Sequence, residues 1–462
     1  MPALLMDVAP LKVSPAFRRL WLGSMFSTLG YQVSAIAIAL EIFDITGSPA
    51  AVGLTGLVAV TPLVIGGLYG GVIADHYDRR KVALAASLGM WLVAVALAAQ
   101  AWAGWRSVWV LYTVIFCESL LQPIDKSARG AIIPRLIKKR MLPAANALNM
   151  TVLTLSMSVG PMLGGALVAL TGYPLTYTIN IAAMMVGLWA LYRLPPMRPD
   201  HTGEDKPSPL AAIGAGLRFV REVPVVGMTF VVDLIGMVFA QSKPLIPALA
   251  VTAFGGGTAA SGVLLSATAA GSFLGVTFSG WLSRVQRQGR FLTLSYVAWG
   301  AGLALFGLVA LSLDGRSPSD SLTENLPAIA AGCAGLAFSG WADALGSVYR
   351  SSIIQTVVPD RMLGRMNGLF IVTVVGGPNL GAGVIGFGAE LMGPALTAVV
   401  GGLVCMVAIG VFTACVPALW RYVFEPLPET SAIPYPEHNP DSPATGVITV
   451  VPPRQDEKPD VP

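Results

Sequence analysis

The sequence is short of charge. Asp, Glu, Lys and Arg make up 12% of its 462 residues, about half of what a soluble domain carries. That excludes an ordinary water-soluble fold. Histidine is scarcer still: His76, His201 and His438 all fall in polar segments, so no intramembrane histidine relay and no metal site is expected. Cysteine is limited to Cys117, Cys333, Cys405 and Cys415, each in an apolar block and none at metal-ligand spacing. Small buried hydrophobes are used in that way. No Walker-type phosphate loop occurs, so ATP is not expected to drive the chain directly. No motif pairs a nucleophile with a base, so neither an enzyme nor a cofactor is expected. No cleavable leader is expected ahead of the first apolar block.

What is there is apolar. Hydrophobic residues make up 54% of the chain, and the mean hydropathy is +0.69. A bilayer core of about 30 Å needs roughly 20 apolar residues per helix. The blocks have that length, not the roughly 10-residue alternation of a membrane barrel. Helices close their own hydrogen bonds, which lipid demands. The expected fold class is an all-α integral membrane protein. Twelve transmembrane helices are predicted near 20–42, 51–74, 82–101, 108–131, 144–170, 174–194, 225–249, 259–282, 291–313, 328–350, 366–389 and 396–419.

The basic residues are sorted by side. The N-terminal segment, alternate polar links and the tail hold 26 of them. These include Arg79, Arg80, Lys81, Arg129, Arg135, Lys138, Arg218, Arg287, Arg350 and Arg421. The opposite side holds three: Arg106, Lys243 and Arg316. Both termini are therefore expected in the cytoplasm, in a multi-pass protein of the inner (plasma) membrane. The predicted organisation is a six-helix bundle over 1–194, a cytoplasmic linker over 195–224, a second bundle over 225–421 and a disordered tail over 422–462. Leu210 to Val223 reads as an amphipathic surface helix, and the Pro/Asp/Glu-rich tail lacks the apolar residues for a core.

The halves repeat. Arg129, Ile132, Ile133, Arg140, Met141, Leu142, Asn146 and Leu148 recur as Arg350, Ile353, Ile354, Arg361, Met362, Leu363, Asn367 and Leu369, each 221 positions later. Gly47 and Ala50 recur as Gly257 and Ala260 at an offset of 210. Parallel repeats of six spans place a substrate cavity between two pseudo-symmetric bundles that rock against each other.

Gly71-Val-Ile-Ala-Asp75-His-Tyr-Asp78-Arg79-Arg80-Lys81 follows the second span. It resembles the signature of the major facilitator superfamily, although His76 and Asp78 depart from it. The resemblance implies a conformational latch in which Asp75 faces the start of the eleventh span, with Arg79 and Arg80 completing it. A plain positive-inside loop would carry similar charges. The counterpart Gly280-Trp-Leu-Ser-Arg284 lacks the acid. In the fifth span, Gly160-Pro161-Met-Leu-Gly164-Gly165 looks like the antiporter motif of the superfamily. Physically, such a run bends a helix and lets a neighbour pack closely. With Arg129-Gly-Ala-Ile-Ile-Pro134 and Pro143-Ala-Ala-Asn146, it is similar to the branch that holds the enterobactin exporter and macrolide-efflux proteins. The superfamily likeness covers about 17–421.

The resemblance implies a proton-coupled exporter of a small organic molecule, such as a siderophore, drug or related metabolite. A lysophospholipid or other amphiphile transporter is the alternative, and a non-transporting receptor is another. The partners expected are that small molecule, protons and membrane lipid, with no nucleic acid, and the chain is expected to be a monomer.

Ionisable residues inside lipid are costly, so each is a functional candidate. Glu118 lies ten residues into the fourth span, roughly 15 Å deep. It is the first choice for proton coupling, followed by Asp233 and Asp343. Asp343 stands at the repeat position of Gln122, and an ion pair with Arg350 is its structural alternative. Glu118, Gln122, Asp125 and Arg129 share one helix face, expected to line the cavity. Gln32, Gln122 and Asn180 are candidate substrate contacts, with Tyr31 and Phe230 as apolar walls.

Overall fold

The computed structural model describes residues 8–138, 141–195, 197, 214, 218–277, 285–313, 325–358, 373 and 376–423. Among these the chain is helical throughout. The short helix α1 (Ala9–Val13) leads into α2 (Pro15–Thr46), α3 (Pro49–His76), α4 (Arg79–Trp102), α5 (Val108–Leu136) and α6 (Leu142–Tyr192). The second half holds α7 (Pro224–Phe239), α8 (Ile246–Thr252), α9 (Gly257–Thr277), α10 (Gln288–Ser312), α11 (Leu326–Val357), α12 (Gly376–Met392), α13 (Pro394–Cys415) and α14 (Ala418–Arg421).

Local sequence explains the boundaries. Ser14 caps α2 by accepting from the Phe17 N–H (3.2 Å), and Ser48 caps α3 by accepting from Ala51 N–H (3.2 Å). Pro15 and Pro49 follow at first-turn positions, where the missing N–H costs nothing. Asp78, which stands where the superfamily signature has a turn glycine, caps α4 by accepting from Arg80 N–H (2.9 Å). Gly172 breaks α6 with φ 74° and ψ 176°, a backbone that suits glycine. There the chain reverses. Trp21 bonds the carbonyl of Leu148 and Gly164 packs on Val33, so the first arm of α6 runs alongside α2. Beyond Gly172, Asn180 lies against Gly30 and Gly187 against Gly23 and Ser27, in the opposite sense.

Nine helices among the described residues are long and apolar enough to cross a membrane. Taking the two arms of α6 separately, and adding α12 and the broken pair α7–α8, accounts for the twelve predicted spans. The helices outrun the predicted spans at many ends, because caps and not hydropathy stop them. The seventh span differs more: residues 240–245 interrupt it. Half of the predicted surface helix over 210–223 lies outside the described residues. Its last turn, 218–222, is helical, and Phe219, Val220 and Val223 pack on Val226 and Phe230. The tail after Val423 also lies outside them.

We call the end carrying Gly47, Gly172 and Gly393 distal, and the end carrying α1 and the α3–α4 turn proximal. Lipid tails are as apolar as leucine, so helix association here rests on close packing and hydrogen bonds. In the first half α2 packs on α6, and α5 packs on α3 and α4; in the second, α11 packs on α9 and α10, and α10 on α13. The halves meet through α3 against α12 and α6 against α9. Near the distal end one apolar cluster takes in Ile38 and Ile42 of the first half and Leu245, Leu249 and Phe254 of the second. At the proximal end the clusters stay within one half: Leu20, Ile132 and Leu191 in one, Val226, Phe230 and Val358 in the other.

Candidate functional site

Glu118 sits on α5 between α2 and the second arm of α6. It is 3% exposed, and its Oε1 has no hydrogen-bond partner. The Tyr31 hydroxyl of α2 neighbours both Glu118 and Gln122, and Tyr177 of α6 lies within the electrostatic reach of Glu118. A carboxyl in this place, roughly 15 Å from the start of α5, can gain or lose a proton without breaking a structural bond.

A second buried acid was not singled out by the sequence. Glu41 of α2 is 4% exposed. The Tyr177 hydroxyl donates to its Oε2 (2.6 Å) and Gln100 Nε2 to its Oε1 (3.0 Å). Toward the distal surface, Tyr173 donates to the exposed carboxylate of Asp44, and Arg106 donates to the Asp44 backbone carbonyl (3.3 Å). The rule that picked Glu118 also applies to Glu41. Glu41 lies one residue inside the predicted end of the first span at 42, whereas the helix continues to Thr46.

The polar face of α5 divides. Glu118 and Gln122 adjoin Tyr31, whereas Asp125 and Arg129 turn into the bundle instead of lining a cavity. Arg129 donates to Asp125 (2.6 Å), to Ser24 of α2 (3.1 Å) and to Ser87 of α4 (2.9 Å), and Ser87 donates to Asp125 (2.7 Å). A buried guanidinium is tolerable only with partners for its N–H groups. Its repeat mate does the same work. Arg350 of α11 donates to Asp233 of α7 and to the Tyr296 hydroxyl of α10 (3.4 Å), and Tyr296 also donates to Asp233. Ser24 and Asp233 are 209 positions apart, as are Ser87 and Tyr296. In each half, an arginine on the fourth span ties the first span to the third. The acid has changed helix: Asp125 stands where the second half has Gly346. A Cβ at Gly346 would strike the Tyr296 ring at 2.8 Å.

Two expectations change accordingly. Arg129 and Arg350 are buried helix residues and not loop cations, although removing them leaves the sign of the basic bias intact. Arg350 pairs with Asp233, and not with Asp343 as the structural alternative had it; Asp343 is half-buried nearby, within the electrostatic reach of Asp233, Arg350 and Lys243.

Asn180 is 1% exposed with both amide atoms unpartnered, beside Gly30. Gln32 is half-buried against Gly160, while Phe230 belongs to the buried proximal cluster with Val226 and Val358. Gly164 packs on Val33 and Ile36 of α2, and Gly165 touches Gly262 of α9, so the fifth-span motif builds one crossing within the first half and one between halves. Pro161 lies inside α6. Gly71 and Asp75 lie in α3, but the placement of the Asp75 carboxyl and the start of the eleventh span fall outside the described residues. Arg79 donates to the Ala131 carbonyl (3.2 Å) and Arg80 to the Tyr192 carbonyl (2.6 Å), so both fasten the α3–α4 turn within the first half.

The pattern of a family described as transmembrane secretion effectors matches residues 6–429. The enterobactin exporter EntS of Escherichia coli is 28% identical over 428 residues, covering 93% of this chain and 98% of that protein. The EntS of Salmonella paratyphi A is 30% identical over 400 residues, covering 86% and 91%. Among solved structures, the nucleoside transporter NupG superposes with a TM-score of 0.66 at 14% identity, over 88% of this chain and 99% of that one. A bacterial homologue of the iron transporter ferroportin, in an inward-facing state, does so with a TM-score of 0.60 at 13% identity, over 87% and 99%. At these identities the two structures show a shared fold.

Proposed function

We propose, on the premise that this chain belongs to the transmembrane secretion effector family of the major facilitator superfamily, that it couples outward transport of a small organic molecule to inward movement of protons. Membership makes the chain a multi-pass secondary transporter that exports a small molecule, and not an enzyme. Proton coupling, the cargo and the membrane orientation are the proposed parts.

Glu118 carries the coupling. It is a mid-membrane carboxyl, almost wholly buried, with an oxygen free of any competing bond. An exporter can load such a group with a proton from outside and release it inside as cargo leaves. Tyr31, Gln122, Gln32 and Asn180 are the proposed cargo contacts, and Asp343 is a secondary proton site. The two bundles, 1–194 and 225–421, rock about their α3–α12 and α6–α9 contacts, with Gly71, Asp75, Arg79 and Arg80 as the proximal latch. The basic bias supports a proximal end in the cytoplasm of a bacterial inner membrane. The Gly160-Pro161 motif supports export by resemblance. Because the relatives are named for enterobactin, a catechol siderophore is the first cargo to try.

The test is uptake of labelled enterobactin by inverted membrane vesicles under an imposed pH gradient. The wild type should accumulate it. Glu118→Gln, which keeps the shape and mimics the protonated state, should lose gradient-driven uptake and retain binding. Wild-type uptake by Glu118→Gln would place the coupling group elsewhere.

A further inference from the structure

Glu118 needs a route by which protons reach it, and the first half contains a series of polar groups between the distal surface and that depth. Asp44 is exposed at the distal surface and accepts from Tyr173. Tyr173 stacks on Tyr177, with ring centroids 6.4 Å apart. Tyr177 is fully buried and donates to Glu41. On its other side Tyr177 lies within the electrostatic reach of Glu118. Glu41 and Tyr177 are each five residues from the distal end of their helix arm, about 8 Å deep, and Glu118 is about 15 Å deep. The groups therefore form a ladder from the distal surface to mid-membrane.

The alternatives for this cluster are weaker. A purely structural carboxylate would be matched by a cation, as Asp125 and Asp233 are by arginines. Glu41 instead rests on two neutral donors, and Arg106, which reaches it only electrostatically, bonds the Asp44 carbonyl. The Gln100 Oε1 beside it has no partner, so the network is left incomplete at this point.

We propose that Glu41 and Tyr177 relay protons between the distal surface and Glu118, with Asp44 and Tyr173 at the mouth. The relay rests on the reading of Glu118 as the coupling group. A proton arriving at Glu41 makes it a donor. The Tyr177 oxygen accepts that proton and passes its own to the Glu118 carboxylate. One proton has then moved from Glu41 to Glu118; Tyr177 is again a neutral phenol and Glu41 a carboxylate. The last step requires the Glu118 side chain to rotate toward Tyr177, and its Oε1 has no bond to break in doing so. The groups facing Glu41 are Tyr177 and Tyr173 of α6, Gln100 of α4, Asp44 of α2 and Arg106 of the α4–α5 turn. Those facing Glu118 are Tyr31 and Tyr177.

Dicyclohexylcarbodiimide modifies carboxyls that are protonated in apolar surroundings, so it reads Glu118 without any cargo. Its addition to Glu118 is followed by mass spectrometry in membrane vesicles of both orientations, with pH set separately on each side. In the wild type, labelling should rise when the distal side alone is acidified. Glu41→Gln and Tyr177→Phe should lose that response, while labelling with both sides acid stays at the wild-type level and reports an intact fold. Glu41→Asp, which keeps a titratable group, should restore part of the response. A wild-type distal response in both variants would overturn the relay and leave Glu118 standing as a coupling group; a wild type blind to distal pH would also overturn it. Gradient-driven uptake by Glu118→Gln is the separate result that removes the coupling reading itself.

Discussion

Asp233 and Arg350 hold each other in the buried interior of the second half. Removing one member of a buried ion pair strands the other, at about 3–5 kcal/mol, whereas replacing both with apolar groups is often neutral. Asp233→Asn should therefore lower the melting temperature of the purified protein markedly, and Asp233→Leu with Arg350→Met should recover most of the loss. Tyr296→Phe deletes one hydroxyl from the same knot and should cost about 1–2 kcal/mol. An Asp233→Asn protein that melts with the wild type would show that the pair does not fasten α7 to α11. Asp233 and Glu118, similar as mid-span acids in the sequence, each keep one oxygen without a partner, but Asp233 is tied through its other oxygen to Arg350 and Tyr296.

At the scale of elements, the distal contacts between halves depend on small residues. A Cβ at Gly262 would lie 3.0 Å from the Gly165 Cα, so a larger side chain there must push α9 off α6. Overpacking of this kind costs about 1–3 kcal/mol. The Ser48 hydroxyl donates to Glu390 (2.6 Å), joining the start of α3 to α12. Cysteines at these two positions, in a cysteine-free background, should cross-link readily, and adding Gly262→Leu should lower the yield. An unchanged yield would mean that the α6–α9 crossing does not set the distal closure. The latch makes a different prediction: Asp75→Asn should slow transport without changing the melting temperature or membrane insertion, and unchanged transport kinetics would remove Asp75 from the cycle.

For the whole molecule, orientation is the property most open to test. The proposed placement puts Glu222 in the cytoplasm and Trp105, which is 70% exposed beyond the end of α4, on the outer face. In intact cells a cysteine at Trp105 should react with an impermeant thiol reagent and one at Glu222 should not. The opposite result would invert the orientation and reverse the sense of the relay. Much of this scale was legible in the sequence, since span number, repeat and basic bias all arise from constraints that lipid applies to each segment by itself. The break in α7–α8 lies at Gln241-Ser-Lys-Pro244, a polar run ending in proline, which the predicted span 225–249 crossed although the sequence carried the signal. Helix ends were misjudged where Ser14, Ser48 and Asp78 caps, and not falling hydropathy, set them.

The sequence by itself determined that this chain crosses a membrane many times, that its halves are copies and that Glu118 lies mid-span. Each conclusion follows from local chemistry: a backbone in lipid must bond to itself, and a charge there must have a purpose or a partner. Only the tertiary structure decided which. Tyr177 is 136 positions from the Glu41 it bonds, and Arg350 is 117 from Asp233. No pattern along one helix carries that information, because partners on neighbouring helices are chosen by how the bundle packs. Packing made a salt bridge of one acid, a hydrogen-bonded carboxylate of another, and left Glu118 with an unpartnered oxygen.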